Sequence, residues 1–370
     1  MAEPGAAGEV RAFTYDALPG RVVFGAGTAR RVLVDEVDAL GAGRILLVAG
    51  ASGAGLGREL CAPFAGRVVG VFTEVRPHVP VEVAERARAA ADGADLVLCV
   101  GGGSATGTAK AVALTTGLPI VAVPTTYAGS EVTPVWGLTE GARKTTGTDP
   151  RVLPRTVVYD PELTVGLPVA VAGASGLNAM AHCVEAFWAP RRNPVSSAVA
   201  EDGIRHLGAG LSGLAAERGG GAERAGGART ELLLGAYLAG SAFAVAGSGL
   251  HHKICHVLGG AFDLPHAQTH AIVLPHALAF NAPAAPAATA RIATALGRTD
   301  PARGLHELGA KLGVPTGLRE LGLRKRDIDT VLDDITALAP ADNPRAVTPA
   351  GLRGLLMAAW AGDDPERRNA

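Results

Sequence analysis

The sequence has few cysteines, few aromatic residues and almost no net charge. Its four cysteines form no CxxC pair, which excludes a secreted disulfide scaffold and favours a reducing compartment. A net charge of -1 provides no overall field that would favour nucleic acid or an anionic membrane surface. No run reaches the roughly 18 apolar residues of a spanning helix, and the first residues do not read as an export signal. We therefore expect a cytoplasmic protein with neither nucleic acid nor membrane as a partner.

The chain is long and apolar enough for two domains. A length of 370 residues exceeds the ~100–200 residues of one ordinary domain. The hydrophobic content of 48% is that of a globular protein. Glycine (50 residues) and proline (24 residues) together stay below the roughly 25–30% that is typical of disordered chains.

The two parts of the chain differ in their hydrophobic pattern. Between Arg44 and Tyr159, short β-rich runs alternate with helix-compatible segments; the runs are ILLVAG, RVVGVF, ADLVLCV, PIVAVP and RTVVYD. This alternation predicts a parallel sheet covered by helices on both faces. After Asp160 the strand signals stop, and Ala/Leu-rich amphipathic segments predict helices. We predict a Rossmann-like α/β dinucleotide-binding domain over 1–167 and an all-α domain over 168–370, with 208–230 as the most loop-like stretch.

A glycine-rich turn follows the run ADLVLCV. The segment GGGSATGTAK, from Gly101 to Lys110, leads into a helix pattern that ends near Gly117. Three consecutive glycines allow a close backbone approach to a phosphate, and Ser104 adds a hydroxyl donor. The next strand ends in the small and hydroxyl-bearing residues PTTYAGSE. Two adjacent strand ends of this kind favour a dinucleotide crevice, although glycine in a tight turn can also be purely steric. Neither segment is a GxGxxG or a P-loop motif.

Histidines are concentrated in one short segment. Six of the ten fall within 26 residues: His251, His252, His256, His266, His270 and His276. His252 and His256 are four residues apart, as are His266 and His270, and such pairs share a helix face. Asn178 precedes His182 by the same spacing. Three imidazoles and one oxygen could form a divalent metal site, but an amide is a poorer ligand than a carboxylate.

Each of these residues also has a structural interpretation. A single histidine near a helix end is more often a cap or a hydrogen-bonded core group, and we accept that interpretation for His206 and His306. For His251, His270 and His276, hydrogen-bonded support of the site and direct participation are equally good hypotheses. Lys253 and Arg345 also fit the pattern of solvated surface charges.

At these motifs the sequence resembles the iron-containing alcohol dehydrogenase family over nearly its whole length. The shared segments are VVFGAGT, GGGSATGTAK, PTTYAGSEVTPVWGLTE, ARKTTGTDPRVLPRTVVYDPELT, SGLNAMAHCVEAFWAP, GLHHKICHVLGG and NPRAVTPAGLRGLLMAAWAG. The resemblance implies the fold of that family and of dehydroquinate synthase, in which an α/β nucleotide-binding domain precedes a helical catalytic domain. It also implies a homodimer that uses NADH or NADPH.

The resemblance assigns roles to particular residues. Its cofactor positions fall on Gly101, Gly102, Gly103, Ser104, Thr125, Thr126 and Lys144. Its metal-ligand positions fall on Asn178, His182, His252 and His266, and a further active-site histidine falls on His256. Tyr127 and Lys253 complete the implied catalytic set.

Two departures from the family pattern point to one branch. Metal-dependent members carry an aspartate at the positions of Asn178 and Gly107, so occupancy by iron or zinc is in doubt here. Both departures, with Tyr127 and the HHK run, resemble the maleylacetate reductase branch, which is not regarded as metal-dependent. The end of the first cofactor strand carries Gly50 instead of an acid, which leaves the choice between NADH and NADPH open.

This branch implies conjugate hydride addition to the C=C bond of maleylacetate, giving 3-oxoadipate, or to a close ene-dioate, in the degradation of aromatic compounds. We expect His252 or His256 to stabilise the enolate or donate the proton. His182, His266, Asn178 and Lys253 would then hold the substrate carboxylates. The alternatives are an iron- or zinc-dependent alcohol dehydrogenase, a catalytically silent cofactor-binding protein, and a related enzyme acting on an unsaturated keto-acid in biosynthesis.

Overall fold

A computed structural model describes residues 13–18, 20–141, 143–219 and 225–365. Its strands are β1 (Arg21–Phe24), β2 (Ile45–Val48), β3 (Val68–Phe72), β4 (Leu96–Gly101), β5 (Ile120–Pro124), β6 (Val135–Glu140), β7 (Arg143–Thr148) and β8 (Thr156–Tyr159). Six of them form a parallel sheet in the order β1-β8-β5-β4-β2-β3. The five β-rich runs of the sequence are therefore confirmed as neighbouring parallel strands.

Helices cover both faces of this sheet, as predicted. They are α1 (Thr28–Ala39), α2 (Ala54–Cys61), α3 (Val81–Ala90) and α4 (Gly103–Thr116). Alternate residues of β2 show why helices must cover both faces of the sheet. Ile45 and Leu47 pack in a cluster with residues of α1 and α2, while Leu46 and Val48 pack in another with residues of α3 and α4. Strand β2 therefore buries apolar side chains in two layers.

Three strands were not anticipated from the sequence. The four-residue strand β1 is at the edge of the sheet, where it pairs only with β8. Strands β6 and β7 form a separate antiparallel hairpin. Their sequences, VWGLTE and RKTTGT, carry no continuous apolar run, and every residue of β6 is at least partly accessible. A hydropathy signal for a fully buried strand is therefore absent from this hairpin.

The helical half begins after β8 ends at Tyr159. Its helices are α5 (Val169–Ala186), α6 (Pro194–Arg218), α7 (Ala225–Ala246), α8 (Leu250–Phe262), α9 (His266–Asn281), α10 (Pro286–Leu296), α11 (Pro301–Leu312), α12 (Leu332–Leu338) and α13 (Pro349–Ala361). Helix α5 is almost entirely buried and packs against α6, α7 and α9. The predicted domain boundary at 167/168 falls just before α5 and stays a prediction. Among the described residues, no single helix could span a membrane by length and apolar content, and only the bent pair α7 and α8 meets that criterion together.

The predicted loop over 208–230 is wrong for most of its length. Helix α6 continues to Arg218 and α7 has begun by Ala225. Gly210 and Gly213 do not break α6 but allow it to pack closely against α7. A Cβ on Gly210 would lie 2.6 Å from Cγ of Leu232, and one on Gly213 would lie 2.8 Å from Cβ of Ala228. Glycine here allows α6 and α7 to approach each other where any larger residue would collide.

A buried lysine fixes the chain that leaves the sheet after β5. Lys110 is 1% exposed, and its Nζ donates to the carbonyl oxygens of Ser130, Thr133 and Val135 at 2.7–2.8 Å. Burial lowers the pKa of Lys110, while Glu131 nearby favours the charged form. The Glu131 carboxylate accepts a hydrogen bond from the Tyr159 hydroxyl at 2.8 Å. One ammonium group therefore holds together the segment between β5 and β6.

Candidate active site

The glycine turn forms a cradle at the carboxyl end of β4. A Cβ on Gly101 would lie 2.8 Å from Cβ of Ala105, and one on Gly102 would lie 2.9 Å from Oγ1 of Thr126. Gly101 has a φ of 154°, and α4 begins at Gly103 with no side-chain cap. The N–H groups in the first turn of α4 therefore remain available at a positive helix end. This geometry fits a pyrophosphate, which is the group that the sequence predicted here.

The loop after β5 connects this cradle to the helical half. Thr125 donates its N–H to the carbonyl oxygen of Gly101 at 3.0 Å, which places Thr125 and Thr126 beside the glycines. Farther along the loop, a Cβ on Gly129 would lie 3.3 Å from Nδ1 of His182. Ser104 is half-buried at the start of α4, while the side chain of Lys144 lies outside the described residues. The predicted cofactor and histidine sites are thus in contact.

Helices α5, α8 and α9 bring six histidines together. The rings of His182 and His252 stack with centroids 5.0 Å apart, and the ring of Phe243 packs against both. His270 has its ring centroid 4.9 Å from that of His252 and 4.2 Å from that of His266. The ring of His256 is 6.0 Å from that of His252. We call the six residues His182, His251, His252, His256, His266 and His270 the histidine cluster.

Exposure changes across the histidine cluster. His270 is fully buried and His252 is 2% exposed. His256 is half-buried and His266 is exposed. The cluster therefore opens at the beginning of α9, so a ligand that enters from solvent meets His266 and His256 before it reaches His252.

The carboxylate of Glu185 lies behind the cluster and was not identified from the sequence. It accepts hydrogen bonds from the N–H groups of Gly249 (2.9 Å) and His251 (2.7 Å). It also binds Nδ1 of His252, which leaves Nε2 on the opposite edge of that ring to face a ligand. Burial raises the pKa of Glu185 above its usual value, and the hydrogen bonds from these backbone N–H groups oppose part of that shift. The one available sequence signal was an acid three residues after His182 in an otherwise uncharged helix.

Several imidazoles of the cluster are neutral because they are buried. Burial lowers the pKa of His182 to about 4 and that of His251 to about 3, and it places the pKa of His270 well below its usual range. Nε2 of His251 and Nδ1 of His270 are 2.9 Å apart, so one of them donates to the other. This bonded pair lies beside His252 and restricts its ring. These three rings therefore supply no charge for binding an anion.

The metal-ligand positions of the family do not provide a good donor set for a resident divalent cation. Oδ1 of Asn178 and Nδ1 of His182 are buried without a hydrogen-bond partner among the described residues, so both can face a ligand. However, a neutral amide and neutral imidazoles supply no negative charge to balance a 2+ ion. Within the described part of the chain, the only convergent trio of potential ligands is His251, Cys255 and His270, whose atoms already bond to one another.

The remaining candidates lie around or away from the cluster. Lys253 is half-buried on α8, next to His252. Tyr127 is fully buried in the core, where Thr164 and Arg229 influence its hydroxyl, and the structure does not bring its ring to the cluster. The two histidines for which we accepted a structural role lie outside the cluster. His206 binds Glu231 at 2.6 Å, and the ring of His306 packs against that of His276, with 6.1 Å between the ring centroids.

Comparisons with known proteins agree with this architecture. Residues 19–161 match the family model of iron-containing alcohol dehydrogenase, and residues 172–360 match the C-terminal model of the same family. The maleylacetate reductase of Burkholderia cepacia is 46% identical over 96% of this chain and 100% of its own length. That of Sphingobium indicum is 47% identical over 95% of this chain and 99% of its own.

Solved structures give the same result. The iron-containing alcohol dehydrogenase of Corynebacterium glutamicum has a TM-score of 0.90 and 49% identity, covering 96% of this chain and 99% of its own. The maleylacetate reductase of Rhizobium sp. strain MTP-10005 has a TM-score of 0.88 and 42% identity, covering 96% of this chain and 100% of its own. A sulfoacetaldehyde reductase from Bifidobacterium kashiwanohense, solved with NAD⁺, has a TM-score of 0.85 and 25% identity, covering 95% of this chain and 100% of its own. The resemblance found in the sequence motifs is confirmed: this chain is an oxidoreductase that belongs to the iron-containing alcohol dehydrogenase family.

Proposed function

We propose that the protein catalyses the NAD(P)H-dependent reduction of the conjugated C=C bond of maleylacetate to give 3-oxoadipate. The observation that carries this proposal is the course of the loop after β5, which runs from Thr125 and Thr126 beside the glycine cradle to Gly129 next to the ring of His182, in a group of imidazoles with no carboxylate at the family's metal-ligand positions. The relatives named maleylacetate reductase support it. A dicarboxylate substrate also suits a site whose accessible polar groups are histidines and a lysine.

The dinucleotide supplies a hydride when it is bound. The turn Gly101–Gly103 and the hydroxyls of Ser104, Thr125 and Thr126 would hold its pyrophosphate, and Lys144 belongs to the same proposed set. Which of the two nicotinamide dinucleotides is used stays open, since Gly50 provides no acid for a ribose hydroxyl.

His252 is the proposed donor to the ketone oxygen of the substrate. Hydride addition at the alkene carbon remote from the ketone creates an enolate, and its oxygen needs a preorganised hydrogen-bond donor. Glu185 fixes the ring of His252 through Nδ1 and stabilises the imidazolium form, so that Nε2 can donate to this oxygen. A buried donor suits this task, because low local polarity strengthens its interaction with a developing anion.

His256 is the proposed proton donor to the carbon next to the ketone. It is half-buried and lies one helical turn after His252, so it reaches both the substrate and solvent. A half-buried imidazole can deliver this proton to the substrate and recover another from water. His182, His266, Asn178 and Lys253 are the proposed carboxylate-binding groups.

We further propose that the reaction needs no resident metal ion, because the donor set at Asn178 lacks a carboxylate. We expect the enzyme to be a cytoplasmic homodimer that acts in aromatic-compound degradation. All four of its cysteines are unpaired and buried, as expected in a reducing compartment.

A cofactor-oxidation assay with maleylacetate tests the proposed function. We expect turnover with NADH or NADPH that persists after treatment with a strong chelator. Loss of activity that iron or zinc restores, with turnover of simple alcohols or aldehydes, would establish the metal-dependent alternative. Cofactor binding without oxidation across ene-dioates and aldehydes would instead indicate a silent binding protein.

Replacing the proposed proton donor is a sharper test. We expect His256→Ala to lower kcat with maleylacetate by about 10²-fold or more, because general acid catalysis contributes about 10²–10⁴. His206→Ala is the matched control, since His206 lies on α6 and binds Glu231. A His256→Ala enzyme within threefold of the unmodified rate would remove His256 from the chemical step.

A further inference from the structure

The segment RPHVP, residues 76–80, has an unusual backbone conformation. Three non-glycine residues in the described chain have a positive φ: His78 (60°), Val79 (48°) and Asp263 (51°). Two of them are consecutive, and one is β-branched, which makes this conformation costly. Such a backbone conformation persists only where surrounding structure enforces it.

Hairpin strand β6 and helix α4 enforce this conformation. The hydroxyl of Thr139 donates to the carbonyl oxygen of His78 at 2.8 Å, and the N–H of Thr139 donates to that of Val79 at 3.1 Å. The side chain of Val79 is buried against α4, where a Cβ on Gly107 would lie 2.8 Å from its Cγ2. The cofactor-binding helix therefore has a glycine at the point where Val79 needs the space.

This anchoring directs the imidazole of His78 toward the helical half. Its ring centroid is 6.3 Å from that of His266, with the two rings nearly perpendicular. Its Nε2 lies 3.9 Å from Oδ1 of Asp263, the residue that ends α8. His78 is half-buried, whereas the Asp263 side chain is 96% exposed. The α/β half thus presents a nitrogen donor at the open end of the histidine cluster, close to a carboxylate.

We propose that His78 is a specificity-determining residue that donates a hydrogen bond to one carboxylate of the dicarboxylate substrate. This inference rests on the proposed function and adds a group that sequence reasoning did not identify. His252 and His256 lie deeper and serve the ketone and alkene, so an extended substrate has one carboxylate left at the entrance. There His266 and His78 face it from the two halves of the molecule.

His78→Asn tests this role, because asparagine tolerates the positive φ but is too short to replace the imidazole. We expect KM for maleylacetate to rise about 10- to 100-fold, as for a lost hydrogen bond to a charged group, with kcat within threefold. A monoester of the same ene-dioate, lacking the entrance carboxylate, should show no such difference between the two enzymes. His78→Gln keeps a longer donor and should restore most of the affinity.

Two controls separate this inference from a folding defect. Arg76→Asn changes an exposed residue of the same segment and should leave KM unchanged. The unfolding midpoint and the affinity for NAD(P)H should be the same in all variants. Equal KM values for unmodified and His78→Asn enzymes with the diacid would overturn the inference, and so would an equal loss with the monoester.

Calorimetric titration with 3-oxoadipate distinguishes failure of this inference from failure of the proposed function. If the unmodified protein binds 3-oxoadipate tightly and His78→Asn binds it at least tenfold more weakly, the role of His78 stands even without turnover of maleylacetate. If both bind it equally, the inference fails while the proposed function can survive. If the unmodified protein neither turns over maleylacetate nor binds 3-oxoadipate, both fail.

Discussion

Lys110 in the α/β half and Glu185 in the helical half are both buried charged side chains that bind several backbone groups, and the two differ in what else they bind. In the α/β half, Lys110 donates to three carbonyl oxygens and to neighbouring hydroxyls. In the helical half, Glu185 accepts from two backbone N–H groups and also binds His252. Lys110 thus organises only the chain, whereas Glu185 connects the chain to His252, the proposed donor to the substrate ketone. This difference predicts that one charge serves stability and the other serves catalysis.

The largest expected effect is on stability. Lys110→Met removes the donor of three carbonyl groups and leaves Glu131 buried without its cation, so we expect a loss of about 3–5 kcal/mol in the free energy of unfolding. Denaturant titration measures it, with Lys311→Met on the surface of α11 as control. A Lys110→Met protein that is as stable as the unmodified one but has lost its activity would show that this charge serves catalysis and not stability.

Glu185→Gln should act mainly on the rate. We expect kcat with maleylacetate to fall by about 10²–10³-fold, as for the loss of one oxyanion donor, because His252 loses the charge that orients and stabilises it. The KM for NAD(P)H should not change. Glu307→Gln, an exposed residue paired with Arg303, is the matched control. Unchanged kcat in Glu185→Gln would show that this carboxylate only supports the fold.

Gly249→Ala displaces the same carboxylate without altering its charge. A Cβ at this position would lie 2.5 Å from Oε1 of Glu185, so the carboxylate must move away from His252. We expect a fall in kcat of about tenfold, smaller than in Glu185→Gln since the charge remains nearby. Gly354→Ala on α13 meets no atom within 4 Å and serves as control. Stopped-flow measurement of cofactor oxidation would show whether the chemical step is the one affected.

The smallest expected effect concerns the thiols, two of which lie in each half. Burial raises the pKa of Cys61 to about 11 and that of Cys99 to about 12, and it raises the pKa of Cys183 and Cys255 as well. A thiol reagent at pH 8 should therefore label almost none of them in the native protein and all four in denaturant. Rapid native labelling confined to one half would show that this half opens more readily than the other.

The sequence predicts most elements of the sheet because each central strand is apolar on both faces. The run ADLVLCV and the helix that ends at Gly117 coincide with β4 and α4, since a buried strand and a C-terminal glycine are strong local signals. The hairpin escapes prediction because β6 is partly accessible along its whole length and the sequence of β7, RKTTGT, is polar. The glycines of α6 misled the interpretation of 208–230, because only the partner helix reveals that they serve packing.

The same reasoning applies to the site. Histidines at helical spacing on α8 and α9 are a local pattern, and the structure brings them together with His182; their individual roles stay predictions. Glu185 and His78 could not be found in this way. A single acid in an apolar helix has no periodicity, and the proximity of His78 to His266 is created by the arrangement of the two halves.

The edge strand β1 also has a consequence for biosynthesis. Among the described strands, β1 pairs only with β8, and the buried Asp160 carboxylate accepts hydrogen bonds from the N–H groups of Gly27 and Ala29, contacts that span 133 and 131 residues. While the ribosome is still making the segments between β1 and β8, β1 has no neighbour to join. The border of the nascent sheet is therefore completed in a non-local step, which slows its maturation.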